Sequence, residues 1–293
     1  MREGEASETA GWVAAARTLG RLLPRELILA EDPHGLAFAP PGIQVLAGAL
    51  TKLHAISPAL LTKLGALSEL LLWMQLRTRF IDDLLLEYLR LGGRQVVLLG
   101  AGYDARSQRF QHALRGSIVY EIDHPATQGQ KRARLPSTPE GNVRYVPWDF
   151  EANGLAALEG RLCAAGLDPS ARTLTIWEGV TMYLSEQAID ESMRCVRQLG
   201  GDDSLLVFNY IEREVLNAPK PGLKTIQRIV RRAGEPYQFG FAHAGLPTYL
   251  RERGFSLVRD VSDREIANEY WPLDSHRLQG RDGRRIAIAR RLA

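Results

Sequence analysis

The chain has 293 residues, enough for one large domain or a domain with a cover, and its 45% hydrophobic content provides for a full core and argues against global disorder. Its 37 basic and 34 acidic side chains leave a net charge of +3, too balanced for a nucleic-acid binder, and Arg284, Arg285, Arg290 and Arg291 read as a solvated strand end rather than a basic face. Cys163 and Cys195 show no metal-ligand or C-x-x-C spacing, no run approaches the roughly 18 apolar residues of a membrane span, and the polar start lacks a signal-peptide core, so the expectation is a cytoplasmic protein with no metal site and no membrane contact.

The first part of the chain reads as helical. An alanine-rich run from Ala10 to Leu19 opens it, and Pro24, Pro33, Pro40 and Pro41 interrupt it. An apolar region follows from Ile43 to Leu76, then a helix from Arg77 to Leu91 that stops at Gly92-Gly93. Next come five short apolar runs, Gln95–Leu99, Ser117–Glu121, Val143–Pro147, Thr173–Trp177 and Leu205–Tyr210. Helical segments separate them at about 104–114, 125–135, 153–165 and 185–199. This alternation predicts an α/β fold, a doubly wound, Rossmann-like sheet that is mostly parallel. Residues 211–245 are polar and rich in proline and glycine, as expected of an inserted lid. A helix at Leu246–Arg253 and strands at Phe255–Asp260 and Arg285–Ala289, joined by a long connection, would close the sheet with an antiparallel edge pair. The expected division is a helical cap over 1–91, a cofactor-binding core over 92–210, the lid over 211–245 and completion of the core over 246–293.

The strongest local signal is Val96 to Phe110, an apolar strand running into Gly100-Ala101-Gly102 and then a helix. Glycines there permit a sharp turn and close approach of a ligand beyond the strand ends. The third glycine of a dinucleotide fingerprint is replaced by Ala105, which some dinucleotide sites accept, so NAD stays open at this point. The second strand ends in Glu121 and Asp123, about twenty residues on, where an acid accepts hydrogen bonds from ribose hydroxyls. Asp149 follows the third strand, placed to recognise an adenine edge, and Glu178 follows the fourth. Four strand ends carrying Gly, Asp, Asp and Glu make an acidic rim, which tolerates a cationic sulfonium better than a pyrophosphate. The expected cofactor is therefore S-adenosyl-L-methionine.

The segments LLGAGYDARSQRF, YEIDHP, VPWDF and EGVTMYL, with SETAGWVAAARTLG, EDPHGLAF, RTRFIDD and YQFGFAHAGLPTYLRERGFSLV around them, resemble in order the motifs of the leucine carboxyl methyltransferase family. The resemblance implies a class I methyltransferase sheet with a helical cap. It implies that Arg77, or its neighbour Arg79, holds the methionine carboxylate of the cofactor. Gly100 would be the motif glycine, Asp123 the ribose acid with Glu121 beside it, Asp149 and Phe150 the adenine pair, Glu178 an acid beside the cofactor, and Tyr183 a residue facing the substrate. Phe150 and Tyr103 depart from the family's usual residues but keep an apolar wall, and the segment from Pro40 to Gln75 has no alignable motif.

A carboxylate acceptor is already ionised at neutral pH and needs no base, whereas a phenol does. Of the histidines His34, His54, His112, His124, His243 and His276, only His243 in the expected lid is a candidate base, and His124 reads as the opener of a helix. The absence of a clear base favours a small-molecule carboxylic acid as acceptor. Tyr183, Asn209 and Tyr210 are candidates to orient it, with strand-end packing the plainer reading for Tyr210, and Arg106 and Arg109 are expected on an exposed helix face. An O-methyltransferase acting on a secondary metabolite is the leading reading. A cofactor-binding protein without this catalysis, a hydroxyl methyltransferase and an NAD-dependent oxidoreductase are the alternatives, and the oligomeric state is open.

Overall fold

The computed structural model describes residues 6–40, 42–45, 63, 65–136, 141–219, 221–271 and 283–293, without the side chain of Glu151. The expectations for Pro41, His54 and His276, and for much of the apolar region after Ile43, lie outside the described residues.

Seven strands form one sheet in the order β3-β2-β1-β4-β5-β7-β6. They are β1 (Gln95–Leu99), β2 (Ile118–Asp123), β3 (Val143–Pro147), β4 (Thr173–Trp177), β5 (Leu205–Ile211), β6 (Phe255–Ser262) and β7 (Arg284–Arg291). The first five are parallel, and β7 runs antiparallel between β5 and β6. This is the doubly wound arrangement with an antiparallel edge pair that the strand pattern predicts.

Strand periodicity divides the core. Val96 and Leu98, Leu174 and Ile176, Val207, Ile286 and Ile288 point to one face. Val97 and Leu99, Trp177, Leu206 and Phe208, Ala287 and Ala289 point to the other. Both faces are covered, which is why the strands read as continuous apolar runs rather than alternating ones. The first face is covered by α1 (Glu8–Leu19), α2 (Ala66–Arg90) and α11 (Asp263–Tyr270). The second is covered by α6 (Leu158–Ala164), α7 (Glu186–Gln198) and α10 (Leu246–Arg251).

Helix α2 corrects the sequence reading. The apolar stretch Leu70–Met74 and the expected helix from Arg77 are one uninterrupted helix of 25 residues, with no glycine or proline inside it. Leu76, Ile81 and Leu85 are sealed in the core, each stabilising the fold by roughly 1.5–3 kcal/mol. The helix expected at 104–114 shrinks to α3 (Arg106–Arg109), followed by turns. Helices α4 (Pro125–Arg134) and α5 (Phe150–Asn153) follow β2 and β3, and α8 (Arg213–Asn217) and α9 (Pro221–Arg232) lie between β5 and α10, in the segment expected as an inserted lid. The connection from β6 to β7 carries α11, whose Ser262 and Glu265 form a capping box. Among the described residues no helix is long and apolar enough to cross a membrane.

Of the terminal arginines, Arg290 is exposed as expected, and Arg285 differs. Arg285 is largely buried and lies 3.1 Å from Asp260 and 3.3 Å from Glu212.

Candidate active site

Strand β1 is flanked by β2 on one side and β4 on the other, and the chain leaves it toward β2 before returning to β4. A crevice forms at such a switch point, beyond the carboxyl ends of the strands. Gly100 opens it with φ +70°, and a Cβ there would stand 2.7 Å from Val180 Cγ2, so both conformation and space require glycine. The N–H groups of Gly100 and Ala101 donate to the Ile122 carbonyl, folding the turn back over β2. Gly102 N–H then donates to Asp123 at 2.6 Å, and His124 N–H donates to the other Asp123 oxygen at 2.7 Å. Burial raises the Asp123 carboxyl despite these two bonds. Each oxygen keeps lone-pair capacity for a further donor.

Trp148 N–H donates to the Asp123 carbonyl, which brings the end of β3 alongside. Asp149 accepts from Ala152 N–H at 3.0 Å and lies 3.5 Å from His124 Nε2. His124 Nδ1 accepts from Ala126 N–H, so this histidine opens α4 as expected. Phe150 is partly buried against the second core face. Glu121 leaves the site: it is wholly buried, paired with Lys131 at 2.5 Å and accepting from Ser107 at 2.7 Å. An oxygen sealed beneath the strand end cannot meet a ribose hydroxyl.

Beside Gly100 lies a buried ionic network that the sequence reading missed. Glu178 contacts Arg106 Nη1 at 2.6 Å and Arg77 Nε at 2.7 Å. Arg106 also reaches Asp82 at 2.8 Å and Asp104 at 2.5 Å, Arg109 pairs with Asp82, and Arg17 from α1 pairs with Asp32 at 2.9 Å. Burial pushes the Glu178 carboxyl up, but Arg106, Arg77 and Arg17 outweigh it and hold it well below the ordinary range. Two expectations change accordingly. Arg106 and Arg109 are buried rather than on an exposed face, because Asp104 accepts from Arg106 N–H at 2.8 Å and the chain turns their side chains inward. The rim is also not a bare acidic cluster, since arginines neutralise Glu178 and Lys131 neutralises Glu121.

Arg77 is 3% exposed, yet it makes no side-chain hydrogen bond among the described residues. Its Nε sits close to Glu178 Oε1 without the alignment of a hydrogen bond, leaving both atoms unsatisfied. Burial lowers its pKa, and Glu178 opposes that. Arg79 faces elsewhere, paired at 2.9 Å with Asp83 and 43% exposed. Of the two, only Arg77 faces the crevice.

Tyr183 sits on a 3-10 turn, Thr181–Tyr183, just past Glu178. Burial raises its pKa well above the ordinary value, and it feels the charge of Arg77. Tyr210 is not available to an acceptor, and the side-chain oxygen of Asn209 is committed. Asn209 is 1% exposed, its side-chain oxygen accepts from Gly179 N–H at 2.6 Å and its carbonyl accepts from Thr181 at 2.8 Å, so it holds the turn in place. Tyr210 points to the opposite face, packs edge-on against Phe241 and donates to Asp260 at 2.9 Å. His243 is 55% exposed and lies 3.7 Å from Glu212, outside the crevice. No metal-binding group of three or more His, Cys, Asp or Glu occurs among the described residues.

Hydrogen bonds tie α1 and the segment after β5 to this end of the sheet. Ser7, which caps α1, donates to Glu235 of the inserted segment at 3.1 Å, and its N–H donates to Thr127 of α4 at 3.2 Å. Gln238 N–H donates to the Met182 carbonyl at 2.7 Å, which pins the insertion to the Tyr183 turn.

Comparison with known proteins places this geometry. A "Putative S-adenosyl-L-methionine-dependent methyltransferase" of Mycobacterium avium (strain 104) is 31% identical over 295 residues, covering 91% of this chain and 88% of that one. Among solved structures, a DUF574 family protein from Streptomyces avermitilis superposes with a TM-score of 0.62 at 16% identity, covering 94% of this chain and 97% of that one. An O-methyltransferase family protein from Burkholderia thailandensis has a TM-score of 0.51 at 12% identity, over 78% of this chain and 60% of that one. At such identities the two structures share the fold with this chain. The sequence pattern of the leucine carboxyl methyltransferase family matches residues 10–197, which is more than half of the sequence, and the chain belongs to that family.

Proposed function

We propose that the chain transfers a methyl group from S-adenosyl-L-methionine to an ionised carboxylate oxygen of a small organic acid, a secondary metabolite, without a general base. The observation that carries this reading is Arg77: a nearly sealed guanidinium, ion-paired with Glu178 but without a hydrogen bond among the described residues, beside the Gly179 turn. Glu178, which it shares with Arg106, leaves its donors unmet, and buried donors are costly unless an acceptor completes them. The cofactor's carboxylate has the charge and the two oxygens to do so.

The remaining assignments follow along the crevice. Asp123 would accept from the ribose hydroxyls while the Gly102 and His124 amides hold it in place. Asp149 would meet the adenine edge, with Phe150 as an apolar wall. Gly100 would let the backbone approach. Glu178 serves as counter-ion to Arg77 and Arg106 and keeps both oriented. When bound, S-adenosyl-L-methionine supplies a methyl group already activated on a sulfonium.

What is left for the chain is to align the acceptor and exclude water, and orientation lowers a barrier by up to roughly 7–11 kcal/mol. Candidate bases near the crevice are otherwise engaged. His124 caps α4, and Tyr183 and Tyr237 hold their protons because burial raises both. An acceptor that arrives ionised fits this site.

The test is a thermal-shift measurement with S-adenosylhomocysteine and NAD, followed by activity on carboxylic acids and phenols. A ligand at about 100 times its dissociation constant stabilises the fold by roughly 2.7 kcal/mol, a shift of about 4 °C in a chain of this size. The reading predicts a shift with the sulfur cofactor alone and methyl ester products. A shift with NAD alone, or ethers from phenols without esters, contradicts it.

A further inference from the structure

The segment after β5 contributes Tyr237, which opens the YQFGFAHAGLPTYLRERGFSLV motif and to which the family likeness gives no role. Tyr237 is half-buried, and its ring lies 5.2 Å from that of Tyr183 at an interplanar angle of 57°. Its position is fixed by the backbone on its C-terminal side. The N–H groups of Gln238 and Phe239 donate to the Met182 carbonyl at 2.7 Å and 3.3 Å, and Gln238 Nε2 donates to the Tyr183 carbonyl at 2.7 Å. Insertion and crevice turn are therefore laced together at this pair.

The two hydroxyls are near enough to influence each other's ionisation. Among the described residues neither hydroxyl has a hydrogen-bond partner other than the neighbouring phenol. Burial raises the pKa of both phenols, which keeps their protons in place as donors. Arg77 acts on both rings and Arg284 on Tyr237, while the Glu235 carboxylate, which accepts from Ser7 at 3.1 Å, acts on Tyr183 with the opposite sign. Beside them is an apolar wall of Met182, Ile211 and Leu223, with Val215 and Leu216 of α8 packed against it.

Paired donors flanked by Arg77 and Arg284 next to an apolar wall select an anionic oxygen on an apolar body. We propose that Tyr237 is a specificity-determining residue of the acceptor side: its hydroxyl and that of Tyr183 donate to one ionised oxygen of an organic acid whose apolar part lies against Met182, Leu216 and Leu223. This rests on the carboxylate-methylating reading above and extends it by naming the acceptor's binding residues.

The test uses the full chain, with octanoate and the neutral octanamide as probes. Binding is measured by calorimetry with and without saturating S-adenosylhomocysteine, in wild type, Tyr237→Phe and Tyr183→Phe. The expectation is that wild type prefers octanoate to octanamide by at least about tenfold, the scale of a hydrogen bond to a charged group. Tyr237→Phe should erase that preference and leave S-adenosylhomocysteine affinity within about twofold of wild type. Tyr183→Phe should weaken octanoate as well, and the double variant should lose less than the sum of the two, as for residues sharing one partner. Octanoate that fails to bind wild type, binds no better than octanamide, or binds Tyr237→Phe as it binds wild type overturns the proposal. A chain that ignores S-adenosylhomocysteine but shows the octanoate pattern would instead overturn the cofactor reading, so the two failures are distinguishable.

Discussion

Replacing Arg77 by methionine separates its two tasks. Methionine refills most of the volume on α2 without the charge. Glu178 then keeps its 2.6 Å contact with Arg106, so its carboxylate is not stranded. Stripping a buried ion of its only partner costs about 3–5 kcal/mol, and with a second cation in place we expect about 1 kcal/mol here. In a chain of this length that lowers Tm by roughly 2 °C. The loss in cofactor binding should be larger, because a charge-assisted contact to a carboxylate is worth about 1.5–3 kcal/mol, or roughly 10- to 150-fold in affinity. Calorimetric titration with S-adenosylhomocysteine and thermal melting on the same sample measure both. Arg106→Met is the contrast: its guanidinium bonds Asp82, Asp104 and Glu178 together, and its loss should cost about 3–5 kcal/mol of stability. If Arg77→Met binds S-adenosylhomocysteine like wild type, or destabilises the fold as much as Arg106→Met, then Arg77 is one more member of the ionic network and the reasoning fails.

Asp123→Ala should weaken S-adenosylhomocysteine at least about tenfold with the far-UV spectrum unchanged, and unaltered affinity would remove the ribose assignment. Tyr210→Phe gives up its bond to Asp260, so about 1–2 kcal/mol of stability should go in a denaturant titration while turnover holds; a large fall in turnover would restore Tyr210 to the site. Glu178→Gln tests the network through pH. The Glu178 carboxyl is held below its unfolded value, so the stability it adds is present above about pH 4.3 and is lost as pH falls. The stability gap between wild type and Glu178→Gln should therefore narrow on acidification below that point, and a gap that widens would reverse the assigned sign.

The sheet was legible in the sequence because buried parallel strands leave dense apolar runs. β1, β3 and β4 begin and end where the pattern places them, β2 starts one residue later and ends two later, and β5, β6 and β7 run slightly longer. The crevice was legible as well, since a glycine turn between two strand ends has few architectures open to it. The same pleat that orders the core also explains two misplaced candidates. Tyr210 shares parity with Phe208 and must point into the second core face, and Asn209 sits one residue off, under the Gly179 turn. Glu121 shares a face with Asp123, and its removal from the site depends on Lys131, a residue of α4 that no strand pattern points to.

The arginine network was hidden for a different reason. Arg17, Arg77 and Arg106 come from three helices far apart in the chain, and only the folded cap brings them to Glu178. A lone arginine in a helix gives no sign of being buried. The continuity of α2 was likewise obscured, because its apolar first half read as a separate region. Helix α11 did leave a signal, the Ser262-x-x-Glu265 capping pattern.

The most direct measurement is a crystal structure of the chain with S-adenosylhomocysteine. The account predicts the ligand across the ends of β1, β2 and β4, its carboxylate on Arg77 and its ribose hydroxyls on Asp123. Electron density that leaves Arg77 on Glu178 alone, with the ligand elsewhere or absent at saturating concentration, contradicts it.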